Sequence, residues 1–275
     1  MLSVSFGDRT DYPTAMKSPL LVLTCLSLMV GNACRGDDAR TEGWVSLFNG
    51  KDLSGWTVKI AGHPAGENFA NTFRVEDGIL KAEYDGYERF DMQFGHLFTN
   101  VAYSRYVLRL EYKLPGSGMA DAPHWTNRNS GVMLHAQSPL SMRVEQGFPV
   151  SIEGQFLAEG ATAGTQTANL VTPGTHIHID GTLTEAHIID SRSRLFPGDE
   201  WVRFEAEVRG HDSIVFRING QEVHRGERPV LDPSDQDARH LLAAGASAEV
   251  GFGHIALQAE GSPVWFRKIE IRPLP

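Results

Sequence analysis

Residues 44–275 predict an all-β sandwich. Short stretches that alternate apolar and polar residues follow one another closely, turn residues separate them, and helical spacing is confined to one short segment. The cleanest alternation is YVLRLEYKL (106–114), with Tyr106, Leu108, Leu110, Tyr112 and Leu114 on one face and Arg109, Glu111 and Lys113 on the other. In SGVMLHAQ (130–137), Val132, Leu134 and Ala136 face inward while Met133, His135 and Gln137 face outward. VSIEGQFL (150–157) sets Val150, Ile152 and Phe156 against Ser151, Glu153 and Gln155. WVRFEAEV (201–208) alternates likewise, and SIVFRINGQEVHR (213–225) reads as a hairpin whose Asn219-Gly220 turn suits two positive φ angles. The segment DPSDQDARHLLAAGA (232–246) reads as a helix of one to three turns stopped by Gly245. GHIALQ (253–258) buries Ile255 and Leu257 and leaves His254, Ala256 and Gln258 opposite, and PVWFRKIEI (263–271) is the last strand. Many short strands with at most one or two short helices predict a sandwich or jelly roll.

The composition agrees with a globular, turn-rich chain: 275 residues with 28 Gly, 14 Pro and 41% hydrophobic residues. A formal charge of −9 argues against binding the phosphate backbone of a nucleic acid, which rests on clustered Lys and Arg. No repeat or internal linker divides residues 44–275, so one domain is expected there. Residues 1–34 read as an export signal whose natural start is Met16, since the apolar run Leu20 to Val30 is shorter than the roughly 20 residues that span a bilayer. Small residues before Cys34 fit either simple cleavage or lipid attachment to Cys34. The expected location is therefore periplasmic or lipid-anchored to the cell envelope. Residues 35–43, RGDDARTEG, read as a polar tether. Cys25 leaves with the signal, so the mature domain has no disulfide.

The polar sides of four strands carry the candidate chemistry: Arg109, Glu111 and Lys113; His135 and Gln137; Glu153 and Gln155; His254 and Gln258. Were these strands neighbours in one sheet, they would form a floor of acids, bases and amides suited to sugar hydroxyls. The alternative is that each merely has a solvated side. The triplet Glu153, Gln155, Leu157 holds one carboxylate where a two-carboxylate retaining mechanism would need another nearby, and Glu159 lies past the strand. In THIHID (175–180), His176 and His178 share a face, but two histidines make a weak metal signal beside the ordinary explanation of a strand entering the Asp180-Gly181 turn. The loop APHWTNRNSG (122–131) brings His124, Trp125, Arg128 and Asn129 to a sheet edge.

Seven stretches in order, LFNGKDLSGW (47–56), LRLEYKL (108–114), RNSGVMLHAQ (128–137), FPVSIEGQFL (148–157), TANLVTPGT (167–175), GDEWV (198–202) and IALQAEGSPVWFRKIEI (255–271), resemble the 3-keto-disaccharide hydrolase family. The resemblance implies a concanavalin A-like jelly roll of two antiparallel sheets and cleavage of glycosides oxidised at C3, by hydrolysis or by C2-proton abstraction and elimination. A non-catalytic carbohydrate-binding jelly roll is the alternative. Carried over by position, the resemblance implies Glu153 and His135 as proton-transfer groups, with Glu111 tuning one of them. Arg128 and Asn129 would bind substrate or the developing oxyanion, and Gln155, Gln258 and Glu260 would orient hydroxyls; Trp125 and His124 belong to the same substrate site. It also leaves room for a divalent metal ion held by Glu153 and His135. Members tend to carry Cys where this chain has Val171 and Ile188, which implies a lost crosslink, and Gly154 stands where relatives have a larger residue, which would loosen the strand beside Glu153.

Overall fold

A computed structural model describes residues 43–275 of the chain; the expected export signal, and the tether up to Glu42, lie outside the described residues. In chain order the first strands are β1 (Val45–Ser46), β2 (Trp56–Ile60), β3 (Phe73–Glu76), β4 (Ile79–Ala82), β5 (Gly95–Thr99) and β6 (Arg105–Lys113). There follow β7 (Asn129–Ala136), β8 (Ile152–Leu157), β9 (Asn169–Val171), β10 (Thr175–Ile179), β11 (Thr182–Thr184) and β12 (Ile188–Ile189). The rest are β13 (Val202–Arg209), β14 (Ile214–Ile218), β15 (Gln221–Leu231), β16 (His254–Ala259) and β17 (Val264–Pro273), with helix α1 (Gln236–Ala243) between β15 and β16.

The strands form two antiparallel sheets, one of ten strands in the order β11-β10-β15-β14-β13-β6-β17-β4-β3 with β1 on β17, and one of seven in the order β12-β9-β8-β7-β16-β5-β2. This is the two-sheet sandwich that the alternation predicts. The core lies between the sheets, where Leu108, Leu110 and Tyr112 of β6 meet Val132, Leu134, Ile152, Phe156, Ile255 and Leu257 of the smaller sheet. Phe156 stacks on Tyr112 at 3.9 Å and meets Phe204 edge-on at 5.0 Å. The β14–β15 hairpin turns at Asn219 and Gly220 with φ of 49° and 86°, as a two-residue turn of this hand requires. Asp235 caps α1 by accepting from the Asp237 and Ala238 N–H groups, and Gly245 in the left-handed region follows its end.

Three expectations are corrected by this topology. First, β7, β8 and β16 are neighbours, but β6 is in the other sheet, so Glu111 lies on the far outer surface, where Arg267 and Lys268 pair with it at 2.6 and 2.8 Å. Second, His135 has φ of 51° where the β7–β16 register slips, and this bulge reverses the alternation at the end of β7. Ala136 therefore joins Met133 on the outward face of the small sheet, in a cluster with Phe98 and Ala256. His135 instead donates from Nε2 to the Gly210 carbonyl at 3.1 Å, with its ring 6.5 Å from that of Tyr106 in the opposite sheet. Third, Gly154 does not loosen β8. It faces the core, where an added Cβ would come 2.9 Å from the Phe204 ring, so only glycine lets the sheets approach here.

Val171 and Ile188 are directly opposite one another in the β9–β12 pair. The double variant V171C/I188C is expected to form an intrachain disulfide. Closing a loop of this length should add about 3 kcal/mol, read as a rise in the unfolding midpoint under oxidising conditions that a reductant abolishes.

Candidate active site

The outward side of the small sheet carries a polar floor. Glu153 and Gln155 of β8 and Asn129 of β7 line a cavity of about 640 Å³, together with Glu260, one residue past the end of β16. Trp125 and Phe148 form an aromatic side, with Trp125 stacked on Phe94 at 5.6 Å and Phe94 4.7 Å from Phe148. The opposite side is built from the chain around Val171 to His176, from Glu185 to Ile188, and from Asp232, Asp235 and Asp237 at the start of α1. The volume lies in the range of small-molecule sites.

Glu153 reaches across β7 above Gly131. A Cβ on Gly131 would come 2.3 Å from Glu153 Oε1, so the absence of a side chain there makes room for the carboxyl. Only 5% of Glu153 and 3% of Glu260 is exposed. No Lys or Arg lines the cavity among the described residues. Burial without compensating charge pushes the Glu153 carboxyl up to about 8. Glu260 is raised well above the ordinary carboxylate range, first by burial and then by the nearby charge of Glu153. Its Oε2 has no hydrogen-bond partner in the protein. Two acids in one dry site, each disfavouring ionisation of the other, form a pair that holds a proton at neutral pH.

The neighbouring amides have set orientations. Asn169 Nδ2 donates to Gln155 Oε1 at 3.0 Å, and Asn169 Oδ1 accepts from the Ser191 N–H at 2.9 Å. The Gln155 carbonyl is thus engaged, and its amide NH₂ is the end turned to other work. Asn129 is reversed: its Nδ2 donates to the Trp125 carbonyl at 3.1 Å, and its buried Oδ1 has no partner. Farther along the floor, His96 pairs across strands with both Lys59 and Gln258. His96 and Gln258 are fully buried with no hydrogen-bond partner on either ring nitrogen or either amide atom. Burial, and secondarily Lys59, pushes His96 down to about 3.

Of the residues expected from the sequence, Glu153, Gln155, Asn129, Trp125 and Glu260 converge on the cavity, and Gln258 lies in the same sheet without lining it. His135 and Glu111 do not reach it. Arg128 also lies outside, its Nη1 donating to the Glu159 carbonyl at 2.6 Å, and His124 is exposed on the preceding turn. His176 lines the cavity beside Asp232, with Nε2 and Oδ1 3.3 Å apart, whereas His178 bonds to the Arg228 carbonyl. With His135 removed from Glu153, the expected metal-binding pair does not exist. Among the described residues no three His, Cys, Asp or Glu side chains gather as metal ligands. Glu153 and His135 therefore do not supply a shared divalent-ion site. Sequence reasoning missed Gly131, Asn169, His96 and the acidic side. The alternation in GHLFT (95–99) places His96 on a face with no Leu and is the signal that could have found it.

The fold and the site define a carbohydrate-active jelly-roll protein. Residues 43–272 match the model of the 3-keto-alpha-glucoside-1,2-lyase-like domain, and the chain belongs to that family. Among solved structures, the chain is similar to a proposed glycosyl hydrolase from Parabacteroides distasonis ATCC 8503. The two share 18% identity and a TM-score of 0.51 over 88% of this chain and 99% of that one, which shows the fold. A Bacillus licheniformis β-glucanase aligns at 13% identity and a TM-score of 0.45, covering 84% and 97% of the two chains. One curated relative, the 3-phosphoshikimate 1-carboxyvinyltransferase of Serratia proteamaculans (strain 568), is 33% identical over 109 residues, which are 38% of this chain and 24% of that enzyme. The chain spans about a quarter of that relative's length, too little to carry its activity over.

Gly131→Ala should displace the Glu153 carboxyl and lower the unfolding midpoint, with a cost of about 1–3 kcal/mol for overpacking, measured by denaturant titration. Folding raises the Glu153 pKa from 4.5 to about 8, so the folded chain keeps a proton that the unfolded chain loses between those values. Its contribution to stability is intact below the lower value and is lost as pH rises through the upper one. Glu153→Gln should therefore flatten the decline of stability with pH and be more stable than wild type at pH 9.

Proposed function

We propose that the chain cleaves 3-keto-glycosides, with Glu153 as the base that removes the C2 proton and Glu260 as the acid that protonates the departing C1 oxygen. The observation that carries this reading is the pair of buried, cation-free carboxyls in a sugar-sized cavity of a chain from this family. A ketone at C3 acidifies the C2–H bond. When a base takes that proton, the bonding electrons become an enolate, then form the C1–C2 double bond as the C1–O bond breaks. The leaving oxygen takes a proton, giving an enone and an alcohol; addition of water at C1 of the enone completes net hydrolysis. The chemistry needs one base and one acid near neutrality, not a nucleophile at fixed spacing.

The surrounding groups suit this course. The Gln155 amide, held by Asn169, supplies N–H donors for the oxygen on which negative charge develops. Asn129 Oδ1 is an acceptor for a sugar hydroxyl, and Trp125 offers an apolar face to the ring. Export through residues 1–34, with or without a lipid on Cys34, is part of the same proposal; mass spectrometry of the mature N-terminus tests it.

Purified protein should release alcohol from a 3-keto-glucoside and none from the unoxidised parent. Glu153→Gln and Glu260→Gln should each lose about 10²–10⁴-fold in kcat, while Glu111→Gln on the outer surface should stay within about twofold of wild type. The pH profile of kcat/KM should climb as pH rises toward 8, where Glu153 ionises, and fall at higher pH as Glu260 gives up its proton. Binding of both sugars without turnover would make the chain a carbohydrate-binding module, and release from the unoxidised parent would return it to ordinary glycoside hydrolysis.

A further inference from the structure

The cavity's charge is one-sided well beyond the two floor carboxyls. Its lining contains Glu153, Glu185, Asp232, Asp235, Asp237 and Glu260, and no Lys or Arg among the described residues. Arg143 is the cation bonded to this set, and it is consumed by Asp237, to which its Nη2 and Nε come at 2.8 and 2.9 Å. Asp235 has given one oxygen to the cap of α1, and Asp232 faces His176 and accepts from Ser234. Glu185 is exposed on the loop between β11 and β12. His176 and His187 are the remaining titratable groups in the lining, and the rest is neutral.

An acidic surface alone would mean little. Here the acids ring a recess whose floor also presents Glu260 Oε2 and Asn129 Oδ1, both from residues at least 97% buried and both without a partner in the protein. Asn129 Oδ1 accepts, and Glu260 Oε2 accepts or, when it carries the carboxyl proton, donates, so both are set for a polar occupant. A carboxylate or sulfate on that occupant would be desolvated against several like charges with no counter-ion, whereas an ammonium group would meet Glu185 and Asp232 at the wall opposite Trp125.

We propose that the site is specific for amine-bearing glycosides, with Glu185 and Asp232 as the ammonium-recognising wall, and that it rejects glycosides carrying a carboxylate. This deepens the reading given above and rests on it for the position of the sugar. The C2–H and C1–O chemistry is unchanged by the amine, so charge acts through binding of the intact glycoside.

The test uses the full chain carrying Glu153→Gln, which retains the cavity but does not turn over, and three ligands of matched size: the 3-keto derivatives of 2-aminoethyl, propyl and carboxymethyl glucoside. Calorimetry at low ionic strength should rank them aminoethyl, propyl, carboxymethyl, with at least about a tenfold span in Kd, equivalent to about 1.4 kcal/mol. The span should shrink in added salt and collapse when Glu185→Gln and Asp232→Asn are added. Folding of that variant is checked by circular dichroism and by unchanged affinity for the propyl ligand. Equal binding of the aminoethyl and carboxymethyl ligands, or binding of none, overturns the inference. So does a ranking that survives the wall substitutions. Ranked binding without release of alcohol by wild-type protein leaves the charge preference standing and overturns the cleavage reading, so the two fail separately.

Discussion

The Glu153 carboxyl, folded across Gly131 and set near Glu260 with no cation to hold its charge, is the arrangement on which the rest of the site depends. Burying two carboxyls without a counter-charge is costly, and the cost is met by keeping protons that exposed acids would release. That requirement dictates much of the surroundings. The groups that line the cavity beside the two acids include amides and no lysine or arginine among the described residues, and Lys59 is set apart beside His96, its Nζ donating to the Ile60 and Val144 carbonyls. The aromatic side formed by Phe94, Phe148 and Trp125 limits water on one flank. A lysine placed against Glu153 would return it to an ordinary carboxylate and leave neither a base near neutrality nor an acid beside it.

The sandwich supplies rigidity for this pair at two levels. Behind the floor, Gly154 lets Phe204 of the opposite sheet close against β8, so the strand that carries Glu153 is backed by tightly packed rings instead of a cavity. Beside the floor, the chain of bonds from the Ser191 N–H through Asn169 to Gln155 orients an amide that could otherwise flip, leaving its donors toward the cavity. The outer surface of the larger sheet is organised quite differently, by ion pairs such as Arg109–Glu270 and by Arg and Lys side chains over Trp44, Trp201 and Trp265. Opposite charges on that face neutralise one another in pairs, whereas the cavity concentrates acids. Two faces of one sandwich therefore have separate electrostatic characters.

Family membership constrains the chemistry without assigning it to residues. Strand β8 contributes one carboxyl to the cavity, and a second comes from beyond the end of β16, on the far side of β7. The proposed abstraction and return of a proton draws on two acids brought together across a glycine and needs no nucleophile at fixed spacing.

By itself, the sequence determined what depends on local period and turn chemistry. The alternations of 106–114, 150–157 and 253–258 place Leu108, Ile152, Phe156, Ile255 and Leu257 in the core and Glu153, Gln155 and Gln258 outside it. The Asn219-Gly220 hairpin and the short helix after Asp235 were equally legible. Only the tertiary structure decided which strands are neighbours and where alternation breaks. Strand pairing is a long-range property, so nothing near Glu111 tells that β6 belongs to the opposite sheet from β8. A single left-handed residue at His135 exchanges the face of Ala136 at the end of β7, and a bulge of this kind arises from pairing with β16, more than a hundred residues away. The partnership of Glu153 with Glu260 is of the same kind, made by the order β8-β7-β16 and by a missing side chain on the strand between them.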